Sequence, residues 1–171
     1  MAMGTLVVYY SHSGNTGYIA EAIRQAVNAD VISLIPEKAY PQKGFQKFFW
    51  GGKSAVMAET PKLKKYDLDA AKYDTVVIGF PVWAGTIAPP IRTFVSEQGN
   101  NLSGKKILAY ACQSGAGGEK ALEKLRVLLG IPSFSATMIL NDPKDKPNAA
   151  TEAKLEQFLM ALQKEQEVTE K

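Results

Sequence analysis

Three short segments of the sequence carry small, hydroxylated and amide side chains that suit ligand binding. The first lies just ahead of a helical pattern and consists of Ser11, His12, Ser13, Gly14, Asn15 and Thr16. Hydroxyl groups, a glycine and the free N–H groups of a helix N-terminus can together bind a dianionic phosphate without any lysine or arginine. The alternative is a simple helix N-cap, where Ser, Thr and Asn are favoured. Three hydroxyl groups and a glycine exceed what capping requires, so we predict a phosphate site.

The second segment follows a buried apolar run and places a tryptophan among small residues: Pro81, Val82, Trp83, Ala84 and Gly85. A tryptophan in a loop stiffened by proline can lie against a flat ring, while the backbone beside it faces the edge of that ring. The alternative is that the Trp83 indole belongs to the core. We predict that this segment contacts a planar ligand.

The third segment is rich in glycine and consists of Cys112, Gln113, Ser114, Gly115, Ala116, Gly117 and Gly118. Its small side chains leave room for a planar ligand and expose backbone N–H and C=O groups to the polar edge of that ligand. Gln113 and Ser114 could add directed hydrogen bonds. The alternative is a flexible turn between a strand and a helix. Cys112 itself is typical of a small buried side chain rather than a nucleophile.

The elements that must position these segments alternate in kind. Short runs rich in apolar residues, typical of strands buried on both faces, cover residues 5–10, 30–34, 75–80, 106–111 and 133–140. Helical spacing recurs between and after them, at residues 19–27, 91–95, 121–129 and 155–162. The pattern predicts an α/β fold, a three-layer, doubly wound, five-stranded parallel sheet of order 2-1-3-4-5. Ligands then bind at the carboxyl ends of strands 1, 3 and 4, which the three segments follow.

The stretch from Glu37 to Ala71 is less regular. Three phenylalanines share one helical face, Gly51-Gly52 interrupts the pattern and Pro61 ends it. One interpretation is a crossover helix with a loose tail packed on the sheet. The other is that its aromatic residues lean over a ligand: Phe45, Phe48, Phe49 and Trp50. At the end of the chain, residues 165–171 read as frayed.

Composition indicates one ordinary globular domain over residues 1–171. Hydrophobic residues make up 46% and charged residues 22%, and the net charge is +3. This mild excess of positive charge calls for neither nucleic acid nor a membrane as partner. A single cysteine and the lack of a signal-like N-terminus lead us to expect a cytoplasmic protein.

Several other chemistries fit poorly. Lys120 stands at the third glycine position of a dinucleotide fingerprint, and Gly118 stands where a Cys-x5-Arg phosphatase needs arginine. His12 is the only histidine and no Gly-x-Ser-x-Gly elbow exists, so a serine hydrolase is disfavoured and His12 is better explained as a loop residue whose backbone serves the phosphate. No Cys/His cluster has metal-ligand spacing, so we expect no metal site.

The three segments together resemble the flavodoxin-like superfamily. Residues 11–16 match its T/S-x-T/S-G-x-T phosphate loop, and Pro81 to Gly85 with the helix start at residues 88–91 looks like the variant in small flavodoxins and NAD(P)H-dependent FMN reductases. The resemblance covers nearly the whole chain. It implies one non-covalent FMN, with its phosphate on the first segment and its ring system between the second and third. The reactive N5 edge would face the backbone of residues 82–85, and no side chain need be catalytic.

The resemblance leaves two roles open. As an electron carrier, the protein would exchange electrons through the flavin with redox partner proteins. As an enzyme, it would take hydride from NADH or NADPH and reduce a quinone, a nitro compound or a similar small acceptor. Carrier flavodoxins are typically acidic and flank the flavin with two aromatic residues. Here the charge is +3 and the third segment has no aromatic residue, which keeps the enzyme open.

Overall fold

The computed structural model describes residues 3–42 and 52–169. The strands of this part of the chain are β1 (Gly4–Tyr9), β2 (Asp30–Ser33), β3 (Tyr73–Trp83), β4 (Thr86–Ile87), β5 (Lys106–Gln113) and β6 (Ala136–Asn141). The helices are α1 (Asn15–Val27), α2 (52–56), α3 (Pro89–Gln98), α4 (Gly118–Leu129) and α5 (Ala149–Thr169). Short 3₁₀ turns occupy Ala70–Lys72 and Gly99–Leu102.

Five of the strands form a parallel sheet in the order β2-β1-β3-β5-β6. Counted among the parallel strands alone, this is the predicted order 2-1-3-4-5, and the α/β fold class is confirmed. The short strand β4 was not predicted; it pairs antiparallel with the end of β3, through Val82 with Ile87 and Trp83 with Thr86. Two residues are too few for the sequence to show a strand pattern.

The helices cover the two faces of the sheet and produce two separate cores. Side chains alternate along each strand, so that Leu6 and Val8 of β1 point to one face and Val7 points to the other. The first core packs against α3 and α4, including Phe94 and Leu125. The second packs against α1 and α5. This is the three-layer arrangement that strands buried on both faces require.

The boundaries of several elements differ from the sequence prediction. Strand β3 continues through Trp83 and β5 through Gln113, so residues 81–83 and 112–113, predicted to follow these strands, are their last residues. The last strand begins at Ala136, not at residue 133; before it, Ser135 N donates to Ile107 O at 2.8 Å. Helix α5 continues through Thr169, so the frayed end predicted from residue 165 was wrong up to that point. Glu165 forms an ion pair with Lys106 at 2.8 Å and Gln166 Nε2 donates to Thr5 Oγ1 at 3.1 Å, and these contacts with the sheet hold the last turns of the helix.

The middle stretch of the chain is described only in part. After β2, Leu34 N donates to Tyr9 O at 2.8 Å and Pro36 forms an isolated bridge with Leu63, and α2 begins at residue 52. The predicted helical face of Phe45, Phe48 and Phe49, and Trp50 with it, lies outside the described residues. Within the described part, no helix has the length and apolar character to cross a membrane.

Strand β3 passes directly beneath a tyrosine. Gly79 pairs in register with Tyr110 of β5, and a Cβ atom built on Gly79 would overlap the Tyr110 ring. The ring is fully buried and its hydroxyl donates to Thr16 O at 2.8 Å. Only glycine leaves space for a tyrosine that reaches from the sheet to the start of α1.

We therefore expect Gly79→Ala to lower the free energy of unfolding by about 3 kcal/mol, the cost of overpacking a closed core. Urea unfolding followed by circular dichroism measures this value. Gly99→Ala is the matched control, because its Cβ would meet only Val95 at an ordinary 3.9 Å. The control should change stability by less than about 1 kcal/mol. Equal stability of the two variants would contradict the packing argument.

Candidate functional site

The three segments chosen from the sequence meet at one edge of the sheet. They lie at the carboxyl ends of β1, β3 and β5, which are neighbours in the sheet, and they border a cleft of about 370 Å³. The residues that line this cleft are His12, Ser13, Asn15, Gly52, Pro81, Val82, Trp83, Ala84, Gly85, Cys112, Gln113, Ser114, Gly115, Ala116 and Asp142. Five predicted site residues lie outside this lining: Ser11, Gly14, Thr16, Gly117 and Gly118.

The first segment forms an uncapped helix N-terminus. Gly14 is the N-cap of α1 with φ 98°, a conformation that favours glycine, and no side chain of the described residues caps the helix. The hydroxyl and amide groups of this loop are therefore not used as the N-cap that was the alternative explanation of the pattern. The first N–H groups of α1 remain available for an anion.

Ser11 and Thr16 flank this helix end from inside the protein. Ser11 Oγ is buried and has no hydrogen-bond partner in the described part of the chain. Thr16 is 1% exposed, and its side chain hydrogen-bonds to the Cys112 thiol. A buried hydroxyl without a partner is costly in a folded protein, which marks Ser11 as a group that a ligand can satisfy.

Asn15 has a role that its sequence position did not indicate. Its side chain is buried and makes four hydrogen bonds: Nδ2 donates to Ser13 Oγ at 3.2 Å and Asp145 Oδ2 at 2.9 Å, and Oδ1 accepts from the backbone of Lys144 at 2.8 Å and of Asp145 at 3.4 Å. All the donors and acceptors of the amide are thus used within the protein. Asn15 ties the first segment to the loop between β6 and α5.

The second segment is a tight hairpin. Ala84 and Gly85 both have positive φ, 50° and 68°, and form the two-residue turn between β3 and β4. The Trp83 indole is half-buried and meets three rings edge-on: Tyr40 at 4.9 Å, His12 at 5.5 Å and Tyr10 at 5.6 Å between centroids. Trp83 therefore packs on the core through these rings and also borders the cleft, which combines the two alternatives drawn from the sequence.

His12 and Tyr10 form the inner end of this aromatic cluster. The Tyr10 hydroxyl lies 3.3 Å from His12 Nδ1, and burial raises the pKa of Tyr10 above its usual value. Tyr10 therefore stays neutral across the physiological range. The His12 ring is held against Trp83 and Tyr10, a packing role for its side chain.

The third segment uses its side chains mainly for internal contacts. Gln113 Oε1 accepts from Gly118 N at 2.8 Å and its Nε2 donates to Asn141 Oδ1 at 3.2 Å, while Ser114 Oγ donates to Asp142 Oδ1 at 2.7 Å. The directed hydrogen bonds expected from Gln113 and Ser114 are thus made to the protein. This loop therefore presents mainly backbone groups to the cleft.

The two last glycines of the segment serve close packing. A Cβ on Gly117, which has φ 106°, would lie 2.8 Å from Gly85 Cα, and a Cβ on Gly118 would lie 2.7 Å from Ile139 Cγ2. The first contact brings the second and third segments together. Neither glycine faces the cleft.

Sequence reasoning did not select Gly52, Ala116 or Asp142, which also line the cleft. Ala116 belongs to the third segment, but its glycine neighbours, and not Ala116 itself, were predicted to bind the ligand. Gly52 arrives from α2 and Asp142 from the end of β6, elements with no ligand pattern in the sequence. The one available signal for Asp142 was its place just after the last predicted strand.

With the geometry established, comparison with known proteins gives a family. A family model described as Flavodoxin matches residues 4–157. The chain belongs to the flavodoxin family. A Lactobacillus acidophilus flavoprotein crystallised in complex with FMN is similar, with 20% identity, a TM-score of 0.70 and coverage of 84% of this chain and 97% of that one.

Two further structures are similar to this flavodoxin-family chain. A Bacteroides uniformis protein, provisionally named a flavoprotein, has 22% identity, a TM-score of 0.72 and coverage of 94% of this chain and 99% of its own. A flavodoxin, WrbA-like protein from Agrobacterium tumefaciens has 16% identity, a TM-score of 0.59 and coverage of 94% and 98%. At these identities the likeness establishes the fold.

Cys112 lines the cleft but is 5% exposed, and burial raises the pKa of its thiol to about 12, against a lowering effect of the Thr16 hydrogen bond. The thiolate is the reactive form. We expect a thiol reagent at pH 8 to modify the folded protein at least about a hundredfold more slowly than the urea-unfolded chain. Absorbance of the released reagent group gives both rates. A folded-state rate equal to the unfolded one would contradict this burial.

Proposed function

We propose that this flavodoxin-family protein binds FMN non-covalently in the cleft and transfers electrons through it. The observation that carries the proposal is the first segment, in which the unpartnered Ser11 hydroxyl lies beside the uncapped N-terminus of α1. Membership of the family and a fold shared with a flavoprotein crystallised with FMN support the choice of cofactor.

The residues present fit each part of this cofactor. The loop at residues 11–16 offers N–H and hydroxyl donors to a phosphate dianion. The hairpin at residues 81–85 and the segment at residues 112–115 would hold the ring system between them, with backbone groups toward its polar edge. Bound FMN supplies hydride and one-electron transfer chemistry at the flavin ring.

The chain's own side chains would bind and orient the cofactor and exclude water. Trp83 covers one side of the cleft and is fixed by its contacts with Tyr40, His12 and Tyr10. The backbone of the hairpin is stiffened by the pairing of Trp83 with Thr86. In this proposal no side chain acts as a catalytic acid or base.

Ser11→Ala gives a direct check of the phosphate loop. We expect FMN affinity to fall about tenfold, since a hydrogen bond to a charged group contributes about 1.5–3 kcal/mol, partly compensated by neighbouring donors. The stability of the FMN-free protein should stay equal or rise, because the hydroxyl has no partner to lose. Fluorescence titration with FMN and urea unfolding measure the two quantities.

The exposed Ser103, remote from the cleft, supplies the matched control, Ser103→Ala. It should leave FMN affinity unchanged. If Ser11→Ala binds FMN as tightly as the parent protein, Ser11 does not contact the phosphate. If it instead lowers the stability of the FMN-free protein, the hydroxyl has a structural role.

A second candidate is an NAD(P)H-dependent FMN oxidoreductase acting on quinones, nitro compounds or similar small acceptors. The observation that favours it is that the middle stretch of the chain reaches the cleft at Gly52. Tyr40 packs against Trp83, Gly52 lines the cleft, and a Cβ atom built on Gly52 would lie 3.9 Å from Ala84 Cβ. Residues at this position would border a small acceptor beside the ring.

One experiment separates the roles. We expect purified protein to retain added FMN with shifted visible bands, and to pass electrons from photoreduced flavin to a haem protein. We expect no faster oxidation of NADH or NADPH, with or without a quinone, than free FMN gives. Faster turnover with either nucleotide would establish the oxidoreductase instead. An unperturbed FMN spectrum with no retained flavin would overturn both roles.

A further inference from the structure

Beside the first segment lies a lysine from a distant part of the chain. Lys144 belongs to the loop between β6 and α5, and its side chain crosses Gly14. A Cβ atom built on Gly14 would lie 2.9 Å from Lys144 Nζ and 3.5 Å from Lys144 Cδ. Gly14 is the N-cap of α1 and stands between Ser13 and Asn15, both of which line the cleft. The ammonium group therefore lies against the loop proposed to hold the FMN phosphate.

The position of this lysine is fixed through its backbone. Lys144 N donates to Asn15 Oδ1 at 2.8 Å, and the neighbouring Asp145 accepts from Asn15 Nδ2 at 2.9 Å. Asn15 is buried, 6% exposed, and every one of its amide hydrogen bonds serves this junction or Ser13. The loop that carries Lys144 is thus docked onto the first turn of α1 before any ligand binds.

The two acidic groups of this loop have other partners among the described residues. Lys146 pairs with Asp142 at 3.1 Å, and the Asp145 carboxylate accepts from Asn15. The Lys144 side chain forms no ion pair or hydrogen bond within the described residues. Among the described residues it is thus a positive charge without an ion-pair partner, beside a loop that contains no lysine or arginine.

We infer that Lys144 is a specificity-determining residue that supplies the counter-charge for the FMN phosphate and makes the site prefer FMN over riboflavin. The inference rests on the proposed function. Neutral donors alone can hold a dianion, but an ammonium at hydrogen-bond range adds a charge-assisted contact that a ligand lacking the phosphate cannot make. Holding the loop through Asn15 lowers the entropic cost of placing a flexible lysine there.

The test compares FMN with riboflavin in Lys144→Met, which removes the charge but keeps an unbranched apolar side chain over Gly14. Fluorescence titration gives both affinities. We expect FMN to bind about 10- to 100-fold more weakly, as for loss of a charged hydrogen bond. Riboflavin affinity should change less than about twofold. Lys144→Arg should stay within about threefold of the parent protein for FMN, since it keeps the charge.

Lys65→Met, at an exposed lysine remote from the cleft, controls for the change in net charge and should bind FMN like the parent protein. If riboflavin binds too weakly to titrate, the salt dependence of FMN binding is measured in place of riboflavin affinity. The FMN dissociation constant of the parent protein should rise more steeply with NaCl than that of Lys144→Met, because an exposed charge contact is screened. Equal salt slopes would overturn the inference.

The remaining outcomes are distinct. FMN binding by Lys144→Met as tight as in the parent protein would overturn the role of Lys144 and leave the proposed function intact. Equal weakening of FMN and riboflavin would also overturn it, because the side chain would then be structural. Failure of the parent protein itself to bind FMN would overturn the proposed function, and the inference with it.

Discussion

One buried hydrogen bond sets the position of the candidate site relative to the sheet. The Tyr110 hydroxyl donates to Thr16 O at 2.8 Å and so joins β5 to the first turn of α1. Burial raises the pKa of Tyr110 well above its usual value, so the hydroxyl remains a donor at every physiological pH. The bond is possible because Gly79 leaves open the space that the ring crosses. The N-terminus of α1 is thereby fixed over the carboxyl ends of three strands.

Around this fixed point, the side chains of the loops bind mostly to one another. Asn15 is saturated by four hydrogen bonds, Gln113 bonds to Gly118 and Asn141, and Ser114 bonds to Asp142. These contacts stiffen the loops and leave backbone groups to face the cleft. A site built from rigid backbone donors pays little ordering entropy when a ligand binds. The polar residues in the three segments are thus mainly its framework.

The fold was predictable from sequence because its signals are local. Apolar runs at five positions predicted five parallel strands, and the rule for doubly wound sheets placed three loops at one edge. Strand β4 was not predicted, because two residues are too few to show a strand pattern. The distant partners of Asn15 and Ser114 were not predicted for another reason. Those of Asn15 lie 129 and 130 residues away and that of Ser114 lies 28 residues away, and no spacing rule connects them. Hydrogen-bonding residue types mark a polar loop but do not say whether the partner is ligand or protein.

The role of the protein turns on what surrounds the cleft. A carrier that docks on basic partners needs unpaired acidic groups near the flavin, because long-range attraction depends on uncompensated charge. Of the described carboxylates beside the site, Asp142 is paired with Lys146, while Asp145 keeps its charge because its partner Asn15 is a neutral amide. The net charge of +3 gives the chain as a whole no long-range attraction for basic partners. The half-buried Trp83 indole, packed edge-on against Tyr40, offers shape and apolar contact at the border of the cleft. A small acceptor and the apolar rim of a protein partner can both use such contact, so charge alone does not separate the two roles.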